Sequence, residues 1–240
     1  MKRYEQYKDS GIEWIGEIPE DFQIVPLFSV ASENRSKNNG NSCTNLLSLS
    51  YGKIITKDIN TNDGLLPANF ETYQVVEKGY TILRLTDLHN DQRSLRSGYV
   101  GERGIITSAY VGIAPSKWVD GIFLANLMHG YDVMKIFYSL GNGVRQSMNY
   151  FDLKRLPLVL PPMHIQKAIN DYLNHKTASI DELIATKQKL IKLLQEKRQE
   201  IINKAVTKGL ISTISMTASG REWIGEIPEE WQIVKVKKVF

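Results

Sequence analysis

Short apolar runs, broken by Gly, Asn and Asp, dominate residues 22–160. Leu46 to Tyr51, Tyr73 to Val76, Tyr80 to Leu85, Gly104 to Ala114 and Leu156 to Leu160 are rich in β-branched and aromatic residues. Such runs between turn residues predict strands. Gly121 to Leu140 places Leu124, Leu127, Met128, Tyr131, Met134, Ile136 and Phe137 at helical spacing and predicts one amphipathic helix. From about Met163 to Lys208 the period changes. Leu173, Ile180, Lys187, Leu194 and Ile201 recur every seven residues, and Thr177, Ile184, Ile191, Arg198 and Ala205 follow four positions after each. Leu183 and Leu190 widen this seam. Pro161-Pro162 at its start and Gly209 past its end are ordinary helix punctuation. The prediction is an α+β protein, a globular mixed α/β domain followed by a long coiled-coil-forming α-helix. Such a helix is about 65 Å long and cannot bury its stripe on a 150-residue domain, so it needs a partner helix.

An internal repeat sets the organisation. Residues 10–27 and 219–236 share 13 of 18 aligned positions, beginning Ser10-Gly11-Ile12-Glu13-Trp14-Ile15-Gly16-Glu17-Ile18-Pro19-Glu20 and Ser219-Gly220-Arg221-Glu222-Trp223-Ile224-Gly225-Glu226-Ile227-Pro228-Glu229. A period of 209 residues is too long for a solenoid and indicates a duplicated domain with its connector. The expected division is a domain at 1–160, a helix at 161–210, and a linker with the start of a second repeat at 211–240. A strand is expected at Trp231 to Phe240.

Composition narrows the chemistry. The net charge of +4 lies in residues 164–208, which carry nine basic and five acidic side chains, whereas residues 1–163 carry 17 of each. Most of the helix's basic residues lie off the seam, on a solvated face or against phosphate. Arg35, Lys37, Lys53 and Lys57 form an acid-free stretch that is either a phosphate patch or a solvated loop. A single cysteine, Cys43, gives no internal disulfide and no zinc cluster. No apolar run is long enough to span a membrane and the N-terminus is not signal-like, so a cytoplasmic location is expected.

No GxxxxGK[ST] phosphate loop and no Asn-Pro-Pro-aromatic tetrapeptide occur. Asp152-Leu153-Lys154 is the nearest approach to a nuclease motif, and the four histidines lack ligand spacing. No catalytic or metal site is expected.

The Ser-Gly-Ile-Glu-Trp-Ile-Gly-Glu-Ile-Pro-Glu opening resembles the specificity subunits of Type I restriction–modification systems. So do Gly143 to Asn149 with Asp152-Leu153-Lys154, Pro161-Pro162-Met163-His164-Ile165-Gln166, Ile180-Asp181-Glu182-Leu183-Ile184, and Lys197-Arg198-Gln199 through Lys208-Gly209-Leu210. Met163-His164-Ile165 stands where that family has Leu-Glu-Glu. The resemblance implies a non-catalytic subunit that reads one half of a bipartite double-stranded DNA target and docks modification (methyltransferase) subunits. S-adenosylmethionine then belongs to the modification subunit, ATP and Mg to the restriction subunit, and no cofactor to this chain. The helix seam (Leu173, Ile180, Ile184, Ile191, Leu194, Ile201) meets a second such helix or the same helix of another copy. Phe240 is read as the end of a truncated or split form able to self-associate.

Base edges and phosphates are met by Arg, Lys, Asn, Gln and Ser. Candidate DNA contacts are Lys53, the segment with Arg84, Asn90, Gln92, Arg93, Arg96 and Arg103, and Arg145, Gln146, Ser147 and Asn149. Arg84 can instead pair with Asp87, and Arg145 can be a packing residue. Trp14 and Trp223 are expected as packed aromatics. The target bases are not legible. Two other readings stand beside this one: a coiled-coil scaffold whose head binds protein, and a free-standing nuclease or methyltransferase.

Overall fold

A computed structural model describes residues 4–59, 67, 69–88, 95–140, 147–210 and 214–234. The chain forms two compact units, Met1–Leu173 and Asn174–Phe240. In order, the first unit holds β1 (Tyr7–Asp9), β2 (Glu17–Pro19), β3 (Gln23–Pro26), α1 (Leu27–Val30), β4 (Ala31–Glu33), β5 (Leu46–Ser50), β6 (Lys53–Lys57) and β7 (Gln74–Val76). There follow β8 (Thr81–Leu83), β9 (Ser97–Tyr99), β10 (Gly104–Ile106), β11 (Val111–Pro115), α2 (Gly121–Val133), α3 (Ile136–Leu140), α4 (Tyr150–Leu153) and β12 (Pro157–Leu160). The long helix α5 (Met163–Lys208) runs from the first unit into the second, which ends with β13 (Met216–Ala218) and β14 (Glu226–Pro228).

Two four-stranded sheets, ordered β6-β5-β10-β7 and β4-β11-β8-β9, build the first unit. Alternation along the strands distributes their side chains between layers. Leu47, Val76 and Ile106 join Ile82 and Val100 in one cluster, whereas their neighbours Leu46, Val75 and Ile105 form another with Phe70 and Tyr73 against it. Leu83 and Ile113 contribute to the largest cluster, with Leu124, Met128, Phe137 and Leu153 from the helices. Burying each such side chain is worth roughly 1.5–3 kcal/mol. The strands expected from the apolar runs are present, with Gly104 to Ala114 divided into β10 and β11 by a turn.

The single helix expected over Gly121 to Leu140 is instead two. Lys135 adopts φ 62°, and its N–H donates to the Asp132 carbonyl at 3.0 Å. The break leaves Val133 and Met134 exposed and turns Ile136 and Phe137 into the core. Core packing thus overrides a local sequence with no Gly or Pro at the break.

β12 pairs antiparallel with β3, from Pro157↔Pro26 to Leu160↔Gln23. The chain's first long-range strand therefore lies beside the residues that lead into α5. Gln166 and Asn170, four apart on one face of α5, are buried polar residues. Gln166 Oε1 accepts from the Asp120 N–H at 2.8 Å, and its Nε2 donates to the carbonyls of Pro161 (2.9 Å) and Trp118 (3.3 Å).

Candidate nucleic-acid interface

The two segments singled out as contacts meet in the structure. The Met148 N–H donates to the Leu85 carbonyl at 2.8 Å, and Ser147 Oγ lies 3.5 Å from the Asp87 N–H. Leu85 and Met148 are buried beneath, whereas Ser147 and Asn149 are exposed and Arg84 half-buried above them. Arg84 and Ser147 thus border one surface.

Arg96 departs from expectation. It is fully buried, so it is not a direct DNA contact. Its Nη1 donates to the carbonyls of Thr86 (2.7 Å) and Arg84 (3.3 Å), Nη2 to that of Asp87 (3.2 Å), and Nε to Tyr138 Oη (3.0 Å). Its own N–H donates to Asp132 Oδ2 on α2 at 2.5 Å. A planar guanidinium with five donors suits this task. It anchors the turn at Arg84–Asp87, where Asp87 itself adopts φ 59°.

Lys53 is exposed on β6. Arg103 is exposed and its Nε lies 3.1 Å from Glu77 Oε1, a surface pair worth about 0–1 kcal/mol and easily exchanged for phosphate. Asn149 is exposed, but its Oδ1 accepts from the Phe151 (2.8 Å) and Asp152 (3.2 Å) amides as the N-cap of α4. Asp152 completes that capping box, so Asp152-Leu153-Lys154 is a helical turn and not a strand-borne nuclease motif. Asn90, Gln92, Arg93, Arg145 and Gln146 lie outside the described residues.

Beside Asn149 and Met148 opens a cleft of about 490 Å³, lined also by Arg35, Lys37, Gln74 and Tyr110. Gln74 is buried and fixes its walls. Its Oε1 accepts from Asn34 Nδ2 (3.1 Å), and its Nε2 donates to the Tyr110 (2.7 Å) and Thr107 (3.2 Å) carbonyls. Arg35 Nε is paired with Glu33 at 2.8 Å. Burial raises the Tyr150 phenol, with Glu33 adding to it, and its hydroxyl donates to the Ala31 carbonyl at 3.0 Å. It is therefore a neutral donor at physiological pH. Among the described residues, no group of His, Cys, Asp and Glu could hold a metal ion, and no helix is long and apolar enough to cross a membrane.

In the second unit, every residue of α5 from Asn174 to Lys204 is exposed. The seam is uncovered, with Ile180, Ile184, Ile191, Leu194 and Ile201 between 48% and 57% exposed.

The sequence repeat is also a structural repeat. β1 pairs with β2 (Tyr7↔Pro19, Asp9↔Glu17) as β13 pairs with β14 (Met216↔Pro228, Ala218↔Glu226). The turns share their backbone bonds, while the Gly11 N–H bond to Asp9 Oδ1 has no counterpart at Ala218. Ser10 N–H reaches the Gly16 carbonyl at 3.0 Å, and Ser219 N–H that of Gly225 at 2.9 Å. Gly11 and Gly16, like Gly220 and Gly225, all adopt φ between 69° and 74°. The surroundings differ. Trp14 packs on the main core as expected, whereas Trp223 is 86% exposed and does not meet that expectation. Trp231–Val234 form no strand, contrary to expectation, while 235–240 lie outside the described residues. The counterparts of Gln232–Val234, Gln23–Val25, lie in β3 and are held by β12, and strand backbone groups need such a partner.

A two-sheet head backed by helices is followed by a long helix with a bare heptad seam, and then by the opening hairpin again. No protein-family profile matches the chain. In sequence it is 25% identical over 224 residues to the Type I restriction enzyme MjaVIII specificity subunit of Methanocaldococcus jannaschii, covering 92% of this chain and 50% of that protein. Its fold is shared with the HsdS subunit from Thermoanaerobacter tengcongensis (TM-score 0.51, 14% identity, 85% of this chain and 48% of that one). It is shared also with a chain solved in work on the complex assembly and conformational transition of the type I R-M system (TM-score 0.56, 14% identity, 85% and 49%). The resemblance seen in the motifs therefore extends over head and helix alike, and the chain spans about half the length of the relatives it matches.

Proposed function

We propose that this chain is a DNA-recognition unit of a Type I restriction–modification complex, reading one half of a bipartite target and docking modification subunits. The likeness to a specificity subunit over 92% of the chain carries this reading. It accounts for three features at once: a head with a polar surface at Arg84 and Ser147, a helix whose seam has no cover, and a restarted hairpin. A scaffold whose head binds protein has no need of the duplicated start, and the likeness favours the DNA reading over it.

In this reading the chain is not the catalyst. Methyl transfer belongs to modification subunits with S-adenosylmethionine, and ATP- and Mg-dependent restriction to a further subunit. The α5 seam is covered by a second α5-type helix, from another copy or from a longer chain. Selection from a random duplex library with the chain in complex with its modification subunits tests the reading. Recovery of one split motif is expected. Equal, poor binding of all duplexes contradicts it and favours the scaffold.

A further inference from the structure

We infer that the β5–β6 hairpin is a ribbon that enters a groove of double-stranded DNA, with Tyr51 at its tip. The inference deepens the DNA-recognition reading and rests on it. Tyr51 is a strained residue with no compensating burial. Ser50 and Lys53 form the last pair of the hairpin, so Tyr51-Gly52 is a two-residue connection. Their φ angles are 47° and 77°. Two consecutive positive φ values define the turn that favours Asn-Gly, and a bulky aromatic at its first position is strained. Tyr51 is nevertheless 86% exposed.

The hairpin packs one face along its length, and its other face, closed at the base by the buried Leu46 opposite Lys57, opens toward the tip. Leu47 lies in the inter-sheet core, and a Cβ added to Gly98 on β9 would meet Leu49 at 2.7 Å and Ile54 at 3.0 Å. Residues directly opposite one another share a face. The pairs Ser48↔Ile55 and Ser50↔Lys53, together with Lys57, therefore make the other face. There Lys53, Ile55 and Lys57 are exposed and Ser48 and Ser50 half-buried. Ammonium groups on either side of Ile55, opposite serine hydroxyls, are phosphate-contacting chemistry, and β6 is an edge strand of its sheet. A two-stranded ribbon also fits the width of the major groove.

Placement joins the hairpin to the surface already described. A Cβ on Gly52 would lie 3.0 Å from Leu95, the residue before Arg96, so the tip sits beside the clamp that fixes Arg84–Asp87. At the open end, Thr56 Oγ1 donates to Glu102 at 2.9 Å, next to Arg103. The ribbon thus runs from Arg103 to the Arg84 surface and includes Lys53.

Two sets of variants in the full chain, assembled with its modification subunits, test the inference. Tyr51→Asn relaxes the turn, so the melting temperature rises or holds, while affinity for the selected duplex falls at least tenfold. Lys53→Ala and Lys57→Ala each lower the slope of log affinity against log salt by about one, on selected and scrambled duplexes alike. Reading the slope on scrambled duplex separates the two proposals, because ribbon contact registers there without any motif. A Tyr51→Asn complex with unchanged affinity overturns the inference. So do lysine variants that aggregate more while their salt slope stays fixed, which would make the lysines edge-strand guards.

Discussion

Asn170 Nδ2 donates to Asp120 Oδ1 at 2.8 Å, and that same oxygen caps α2 by accepting from the Ile122 and Phe123 amides. One carboxylate therefore joins the root of the long helix to the start of α2. At the other end of α2, Asp132 accepts from the Arg96 N–H. α2 is a strut between the two.

Removing the Gln166 side chain leaves the Asp120 N–H and the Pro161 carbonyl unmet in a buried setting. Gln166→Ala is expected to destabilise the chain by about 1–3 kcal/mol, and Asn170→Ala by about 1 kcal/mol. Urea unfolding of both variants checks the order.

Arg96 distinguishes positioning from contact. Arg96→Met strands the carbonyls of Arg84, Thr86 and Asp87 and is expected to destabilise by on the order of 3 kcal/mol. Preference for cognate over scrambled duplex falls with it, but the salt slope stays unchanged, whereas loss of a phosphate contact lowers the slope by about one. Tyr138→Phe, which removes a single acceptor of the guanidinium, shows the same pattern more weakly.

The bare seam predicts a separation of assembly from folding. Ile184→Asp with Ile191→Asp places two charges on a stripe already in solvent. The melting transition of the globular head is expected to hold within about 0.5 kcal/mol. Self-association and docking of a partner helix are expected to be lost in sedimentation velocity.

Tyr131 is buried, and burial pushes its phenol up to about 12 from the usual 10. The folded state prefers the neutral hydroxyl, which donates to the Pro157 carbonyl at 2.9 Å. Its contribution is fully present below pH 10 and is lost as pH rises through 12, on the order of 2–3 kcal/mol. Tyr131→Phe removes that alkaline loss and lowers stability near neutrality by about 1 kcal/mol. Chemical denaturation between pH 8 and 12 measures both.

Local patterns were legible wherever the local signal was also the physical cause. Turn residues mark the strand ends, the seven-residue period marks α5 to its observed ends, and the repeat marks the second hairpin. The break at Lys135 was hidden because it follows from the burial of Ile136 and Phe137, a tertiary gain without local punctuation. Arg96 looked like a contact because an arginine in a polar stretch carries no sign of the carbonyls folded around it. Tyr51 was missed for the opposite reason. Tyr51 closes the apolar run from Leu46 and reads as strand, and only its positive φ exposes the strain.

Genome-wide methylation sequencing in a host expressing this chain with its modification subunit is the decisive measurement. A new split methylation motif is expected, with symmetric halves if two copies join through α5. A soluble complex that writes no new motif would contradict a DNA-reading role for this chain.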